Sequence, residues 1–189
     1  MINPSAIPLD TGESQCKKGT LMLVSGEFDK AIAAFEIATG FQAMGMEMNM
    51  WFVIYGVNCL RKPRSRFSPG KWLGKLADGQ GRQRHNDHFL QFFVRGLNHE
   101  GACKIPTSQL NFAGAGPAIL RTIMRRKGMP QLEEMILNAQ QLGVKFNICQ
   151  VCVDAMAFSV PDDLIVEAEV KGVSSYYMDV SQSHYNAVL

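Results

Sequence analysis

The 189-residue sequence predicts an α/β protein whose sheet is largely parallel. A short apolar run at 20–25 leads directly into a helix pattern, and a second apolar run follows at 46–55. Strand, helix and strand within about 40 residues form a βαβ unit, which joins parallel strands. The second run is apolar on both faces, as expected of a central strand that helices cover from both sides. Hydrophobic residues make up 47% of the chain, enough for a packed core.

The first predicted strand ends at Ser25-Gly26. Apolar side chains then recur at helical spacing from Phe28 onward, and Gly45 ends this helix. The second strand extends to Tyr55.

Regular structure resumes after an irregular insertion at 63–109, in which only 87–97 has a helical pattern. Two helices follow: a glycine-containing loop at 111–117 opens the first, and the second begins at Pro130. Three further strands are predicted, at 144–149, 166–170 and 185–189. The first of these strands leads into helix-like sequence.

The length fits one domain, 1–189, with a loose N-terminal tail at 1–17. No apolar run approaches the roughly 20 residues of a membrane helix, so we expect no membrane span. The N-terminus lacks the basic start and apolar core of a secretion signal. The five cysteines are an odd number, which favours free thiols in a reducing cytoplasm over a disulfide framework.

Charge is unevenly distributed although the net charge is only +2. Between Arg61 and Arg84 there are eight basic residues and one acid, Asp78. This stretch is either a solvated basic loop or a docking surface for an acidic partner protein. Nucleic acid is a weaker interpretation, because only Phe67 and Trp72 could stack on bases.

Cys149 is the main candidate for chemistry, because it lies where a predicted strand ends and helix-like sequence begins. Ligands of open α/β sheets bind beyond the carboxyl ends of the strands. Free N–H groups and the helix dipole at such a position favour the nucleophilic thiolate. The alternative is a buried, inert cysteine.

Cys149 and Cys152 form a CxxC motif, which allows three interpretations. Thioredoxin-like redox chemistry uses this spacing, but the usual tryptophan and Gly-Pro are missing. Zinc would need two more ligands, and nothing in the sequence brings His85 and His88 to the cysteines, so we expect no metal site. In the third interpretation Cys149 reacts and Cys152 only fills space.

Four glycine or serine positions are candidates for shaping a pocket: Ser25, Gly26, Gly114 and Gly116. The loop at 114–116 lacks the Lys-Ser/Thr of a phosphate-binding P-loop. Its glycines either permit a turn or leave room for a small anion at the start of a helix. A hydrolase triad is not supported, since the sequence has no GxSxG motif.

Together, these segments resemble the DsrE/DsrF-like superfamily of sulfur-relay proteins, in particular its larger DsrE-like (peroxiredoxin-family-like) branch. Four blocks carry the resemblance, at 23–31, 45–52 with 55–62, 110–117 with 124–130, and 149–156 with 172–176. The resemblance implies a three-layer α/β/α sandwich with a parallel five-stranded sheet in order 4-3-2-1-5. It also implies frequent homo-oligomers, no organic cofactor, and a sulfur-carrier cysteine at the position of Cys149.

Two features depart from the family pattern. Cys152 stands where the family usually has a small hydroxyl residue, and the insertion at 63–109 differs from the usual connection. We therefore expect a cytoplasmic sulfur carrier or sulfurtransferase that holds sulfur as a Cys149 persulfide. Its expected partners are sulfur-donor and sulfur-acceptor proteins, such as rhodanese-like proteins or small sulfur carriers. The alternatives are a thiol-disulfide oxidoreductase using both cysteines and a non-catalytic regulatory or scaffold subunit.

Overall fold

The computed structural model describes residues 17–62, 101–102, 105–111, 115–156, 158 and 160–189. Five strands and five α-helices lie in these ranges, together with a 3-10 helix at Ile54–Leu60. The strands are β1 (Lys18–Leu23), β2 (Glu47–Phe52), β3 (Lys145–Cys149), β4 (Glu169–Lys171) and β5 (Tyr185–Val188). The helices are α1 (Phe28–Ala43), α2 (Ala115–Arg126), α3 (Leu132–Gln141), α4 (Gln150–Ala155) and α5 (Val173–Gln182).

The strands form one sheet in the order β4-β3-β2-β1-β5. Every neighbouring pair is parallel, so the carboxyl ends of all five strands lie at the same edge. This topology confirms the predicted fold class and strand order. Of the described helices, none is long and apolar enough to cross a membrane.

One face of the sheet carries the aromatic part of the core. Met50 of β2 is aligned with Leu21 of β1 and with Phe146 of β3, so these side chains share a face. The Phe35 ring of α1 packs on this face, 6.0 Å from the Phe52 ring and 5.9 Å from the Phe146 ring. Burying one such side chain contributes about 1.5–3 kcal/mol, so this cluster anchors α1 to the three central strands.

The opposite face is covered in part by α5, which the sequence did not predict. The indole N–H of the buried Trp51 donates to Asp179 of α5 at 2.9 Å, and the Tyr176 ring lies 5.6 Å from the Trp51 ring. A hydroxyl pair, Thr20 and Ser183, links β1 to the end of α5 at 2.8 Å. None of the residues of α5 is buried, although its apolar and aromatic side chains recur at helical spacing.

β2 ends at Phe52, three residues before the predicted end at Tyr55. The Val53 N–H donates to the Leu23 carbonyl at 3.1 Å, and the Gly56 N–H donates to the Val24 carbonyl at 3.0 Å. These hydrogen bonds bring the chain across the end of β1 and into the 3-10 helix. The sequence of this segment remains apolar because the 3-10 helix is itself mostly buried, and it therefore resembles a longer strand.

β4 is also shorter than predicted: it begins at Glu169 instead of residue 166. The segment before β4 bonds to the end of the 3-10 helix instead of to the sheet, since the Ile165 N–H donates to the Leu60 carbonyl at 2.9 Å. The N-terminal tail up to residue 16, the basic stretch from 63 to 84 and the predicted helix at 87–97 lie outside the described residues. The single-domain organisation and the limits of the insertion stay predictions.

We expect Gly56→Ala to lower the free energy of unfolding by about 1–3 kcal/mol, because a Cβ at this position would overlap the Leu23 carbonyl. Gly40→Ala is the matched control. Gly40 lies in α1, where an added Cβ meets nothing within 4 Å, so the change should raise stability by up to about 1 kcal/mol. Urea denaturation followed by circular dichroism measures both. If both substitutions change the free energy of unfolding by the same amount, the contact between Gly56 and Leu23 does not restrict residue 56 to glycine.

Candidate functional site

Cys149 is the last residue of β3 and the residue before α4, at the carboxyl edge of the sheet. Its backbone is extended, with φ −66° and ψ 126°, and its side chain is 4% exposed. In the ladder between β3 and β4, Cys149 is aligned with Lys171. Cys149 therefore lies at the strand end that the sequence indicates, but its side chain is buried and not exposed at the edge of the sheet.

Cys152 lies in the first turn of α4 and is 8% exposed. Its Sγ accepts a hydrogen bond from the Ile54 N–H at 3.1 Å. Burial raises the pKa of the Cys152 thiol; the Ile54 N–H opposes this, and the adjacent Cys149 thiol raises the pKa further. The structure therefore brings the two cysteines of the CxxC motif together, and at neutral pH Cys152 is less ionised than an ordinary cysteine.

Ile54 is the residue of this site that the sequence patterns do not reveal. Its φ of 49° is left-handed, a conformation that costs roughly 1–2 kcal/mol for a residue other than glycine. Its side chain is 47% exposed, so its contribution to the site is the backbone N–H that reaches Cys152. An aliphatic residue after an apolar strand carries no sequence signal for this role.

Gly26 permits the close approach of the segment that carries Ile54. A Cβ on Gly26 would lie 2.9 Å from the Tyr55 carbonyl oxygen and 3.0 Å from the Tyr55 Cβ. The turn after β1 therefore packs directly against the residue that follows Ile54. This contact links the predicted Ser25-Gly26 turn to Cys152 through the backbone of 54–55.

Ser25 is engaged within the same turn. Its hydroxyl donates to the Glu27 carboxylate at 2.8 Å, and Glu27 pairs with Lys30 at 2.6 Å. The hydrogen bond from Lys30, followed by that from Ser25, lowers the pKa of Glu27. The Ser25 side chain thus stabilises the start of α1.

Gly116 is buried in the first turn of α2. A Cβ there would overlap the Leu110 carbonyl and would lie 2.8 Å from the Thr107 hydroxyl, so glycine allows α2 to pack on the 107–111 loop. That loop in turn contacts the start of α1, where the Ser108 N–H donates to Asp29 at 2.8 Å. At Gly116 glycine is therefore required for close packing, and the role of the loop glycines in a pocket stays a prediction. Gly114 lies outside the described residues.

Cys59 is the third described cysteine and is fully buried. Its thiol donates to the Gly56 carbonyl at 3.0 Å, and burial raises its pKa far above the ordinary range. Among the described residues, no three His, Cys, Asp or Glu side chains gather as a metal site. His85 and His88 lie outside the described part of the chain, so their relation to the CxxC motif stays a prediction.

A sequence profile of the DsrE/DsrF/DrsH-like family matches residues 15–188. The chain belongs to this family. The match includes both cysteines of the CxxC motif and all five strands. It confirms the family resemblance that the four sequence blocks indicate.

Individual relatives agree with this assignment. The chain is 30% identical over 172 residues to Bacillus subtilis (strain 168) YrkE, covering 91% of this chain and 96% of that protein. It is 28% identical over 169 residues to the sulfur carrier protein DsrE2 of Allochromatium vinosum, covering 88% and 94% of the two chains. The crystal structure of the ychN protein from E. coli superimposes with a TM-score of 0.50 at 8% identity, covering 92% of this chain and 99% of that one. The likeness to ychN shows the fold.

We expect alkylation of Cys152 to follow a pH profile whose midpoint lies above the roughly 8.5 of a free cysteine. Burial and the neighbouring Cys149 thiol raise its pKa, so the thiolate fraction at a given pH is smaller than in an unfolded chain. Iodoacetamide labelling from about pH 7 to about pH 10, with peptide mass spectrometry, measures the midpoint. Limited access slows labelling at every pH but leaves the midpoint unchanged.

Cys149→Ala provides the matched control. Removing the Cys149 thiol takes away one group that raises the pKa of Cys152, so the midpoint should move to lower pH. Cys59 should remain unlabelled in the folded protein at each pH. A Cys152 midpoint at or below that of free cysteine in the wild type would contradict a buried environment for this thiol.

Proposed function

We propose that this chain is a sulfur carrier that holds sulfane sulfur as a persulfide on Cys149 and passes it to a partner protein. The observation that carries the proposal is the position of Cys149 at the carboxyl end of β3, in a chain of the DsrE/DsrF/DrsH-like family. A relative that matches 88% of this chain is named a sulfur carrier protein. Ligand sites of parallel sheets lie at this edge.

The other described cysteines fit the carrier role less well. Cys59 is fully buried and its pKa is raised, so it is a packing residue. Cys152 is a weaker nucleophile at neutral pH because burial raises its pKa. Its exposure, 8%, barely differs from the 4% of Cys149, so the position of Cys149 at the strand end distinguishes the two cysteines and accessibility does not. Cys16 and Cys103 lie outside the described residues.

The proposed reaction is an exchange at sulfur. The Cys149 thiolate attacks the terminal sulfur of a donor persulfide, a bond forms between these atoms, and the donor leaves as a thiolate. An acceptor thiolate then attacks the terminal sulfur on Cys149 and releases the Cys149 thiolate. Both steps conserve electrons, so they require no organic cofactor or metal.

Transfer to another protein requires the thiol to become accessible. Cys149 is covered, but the next residues lie at the surface: Val151 is 67% exposed and Gln150 is also exposed. A partner that binds over the start of α4 would therefore contact residues directly adjacent to Cys149. Rhodanese-like proteins or small sulfur carriers in a reducing cytoplasm are the proposed donors and acceptors. The expected homo-oligomer stays a prediction.

A thiol-disulfide oxidoreductase is the second candidate, because Cys149 and Cys152 lie three residues apart at the start of α4 and belong to the same buried cluster. Such an enzyme would cycle between a dithiol and an internal disulfide without taking up sulfur. A non-catalytic scaffold subunit would show neither reaction. The three functions therefore predict different products when Cys149 and Cys152 react with a persulfide donor.

We expect Cys149→Ser to abolish sulfur loading and Cys152→Ser to retain it. Incubation with a persulfide donor, followed at once by intact-mass measurement, should show one added sulfur on the wild type and on Cys152→Ser. Peptide mapping should place it on residue 149 and not on the four other cysteines of the chain. Cys149→Ser should show no added sulfur because it lacks the attacking thiolate.

Circular dichroism of each variant provides the folding control. Loading of a folded Cys149→Ser variant, or loading that requires Cys152, would refute the assignment. Loss of two hydrogens with no sulfur uptake would support the oxidoreductase instead. Absence of both changes would support the scaffold subunit.

A further inference from the structure

A carrier with one reactive cysteine has no need of a second thiol, yet Cys152 is the third residue of the helix that Cys149 precedes, close enough for the Cys149 thiol to raise its pKa. Both side chains are nearly buried, and both belong to the same core cluster. The two thiols are therefore part of the packed interior of the site and are not surface residues. Any role of Cys152 toward a persulfide rests on the proposed carrier function of Cys149.

The backbone places the two residues at a distance that a disulfide can span. Cys149 immediately precedes α4 and Cys152 is the third residue of that helix. The rise and radius of an α-helix put Cα atoms three residues apart about 5 Å from each other. This separation lies within the roughly 4.4–6.8 Å between Cα atoms that suits a disulfide, so the spacing of Cys149 and Cys152 is compatible with one.

We propose that Cys152 discharges the Cys149 persulfide by forming an internal disulfide and releasing sulfide. The Cys152 thiolate attacks the Sγ of Cys149, the bond between that Sγ and the terminal sulfur breaks, and the terminal sulfur leaves as hydrosulfide. The sulfane sulfur gains two electrons, and the two cysteines lose them as the disulfide forms. The proton of Cys152 passes to solvent, and a reducing thiol later restores the dithiol.

The location of Cys152 determines which sulfur it attacks. Cys152 follows Cys149 by three residues at the start of the same helix, so the sulfur within its reach is the Cys149 Sγ, which becomes the inner sulfur of the persulfide. The terminal sulfur extends beyond that atom, toward the position that an acceptor thiol must reach. Attack by Cys152 therefore leads to a disulfide, whereas attack by the partner leads to transfer.

Ile54 holds Cys152 in place for this step. Its N–H donates to the Cys152 Sγ at 3.1 Å, and its left-handed backbone shows that the turn is constrained in this arrangement. The burial of Cys152 keeps its thiolate scarce at neutral pH, so discharge is slow compared with transfer to a bound acceptor. Cys152 thereby sets how long the protein carries sulfur when no acceptor is present.

The test follows the persulfide after loading. The protein is treated with a persulfide donor, separated from it by gel filtration, and sampled over time without an acceptor. The wild type should lose its added sulfur, become two hydrogens lighter than the reduced chain, and release one sulfide per persulfide lost. Cys152→Ser should load equally but keep its persulfide at least about tenfold longer, because a neighbouring thiol acts at a high effective concentration.

Cys59→Ala is the matched control, since Cys59 is buried and lies outside the pair. It should discharge at the rate of the wild type. If the wild type and Cys152→Ser both load and lose sulfur at the same rate, or if wild-type sulfur is lost without a disulfide between 149 and 152, the discharge step is wrong while the carrier function stands. If neither chain loads, the carrier function fails and the discharge step fails with it.

Discussion

The backbone contact between Gly56 and the end of β1 determines which backbone N–H faces Cys152. Because the Gly56 N–H bonds to the Val24 carbonyl and its Cα lies against Leu23, the chain leaves the sheet after Phe52. The exit turn places Ile54 in a left-handed conformation with its N–H directed at Cys152. A longer β2 would pair that N–H within the sheet, and Cys152 would lose its hydrogen-bond donor.

The site has two thiols in unequal positions. Cys149 ends a strand at the carboxyl edge of the sheet, where ligands of parallel sheets bind, while the Cys152 Sγ accepts a hydrogen bond from the Ile54 N–H. In the proposed carrier, burial shields the Cys149 persulfide from solvent thiols, and Cys152 provides one defined route of decay. In the same proposal, the raised pKa that burial gives Cys152 slows this internal reaction.

Sequence patterns identified the helix that buries most apolar residues and missed a helix that buries none. The helix with Phe28 and Phe35 was predictable, because its buried residues recur at helical spacing. Helix α5 was missed although its apolar and aromatic side chains also recur at helical spacing; its contact with the sheet depends on the hydrogen bond and ring contact of Trp51. The end of β2 was misplaced for a different reason, since buried 3-10 helix and buried strand have similar compositions.

The sequence by itself determined the parallel α/β architecture and the family, because periodicity, element order and motif spacing are properties of the chain. It also singled out Cys149 as the candidate residue, which stays a prediction. Only the tertiary structure decided that both thiols are buried and that Ile54 donates to Cys152. The hydrogen bond to Cys152 joins residues 98 positions apart and involves a backbone N–H, a group that every residue except proline carries. A pattern of side chains cannot predict such a contact, because almost any residue type could supply the donor N–H.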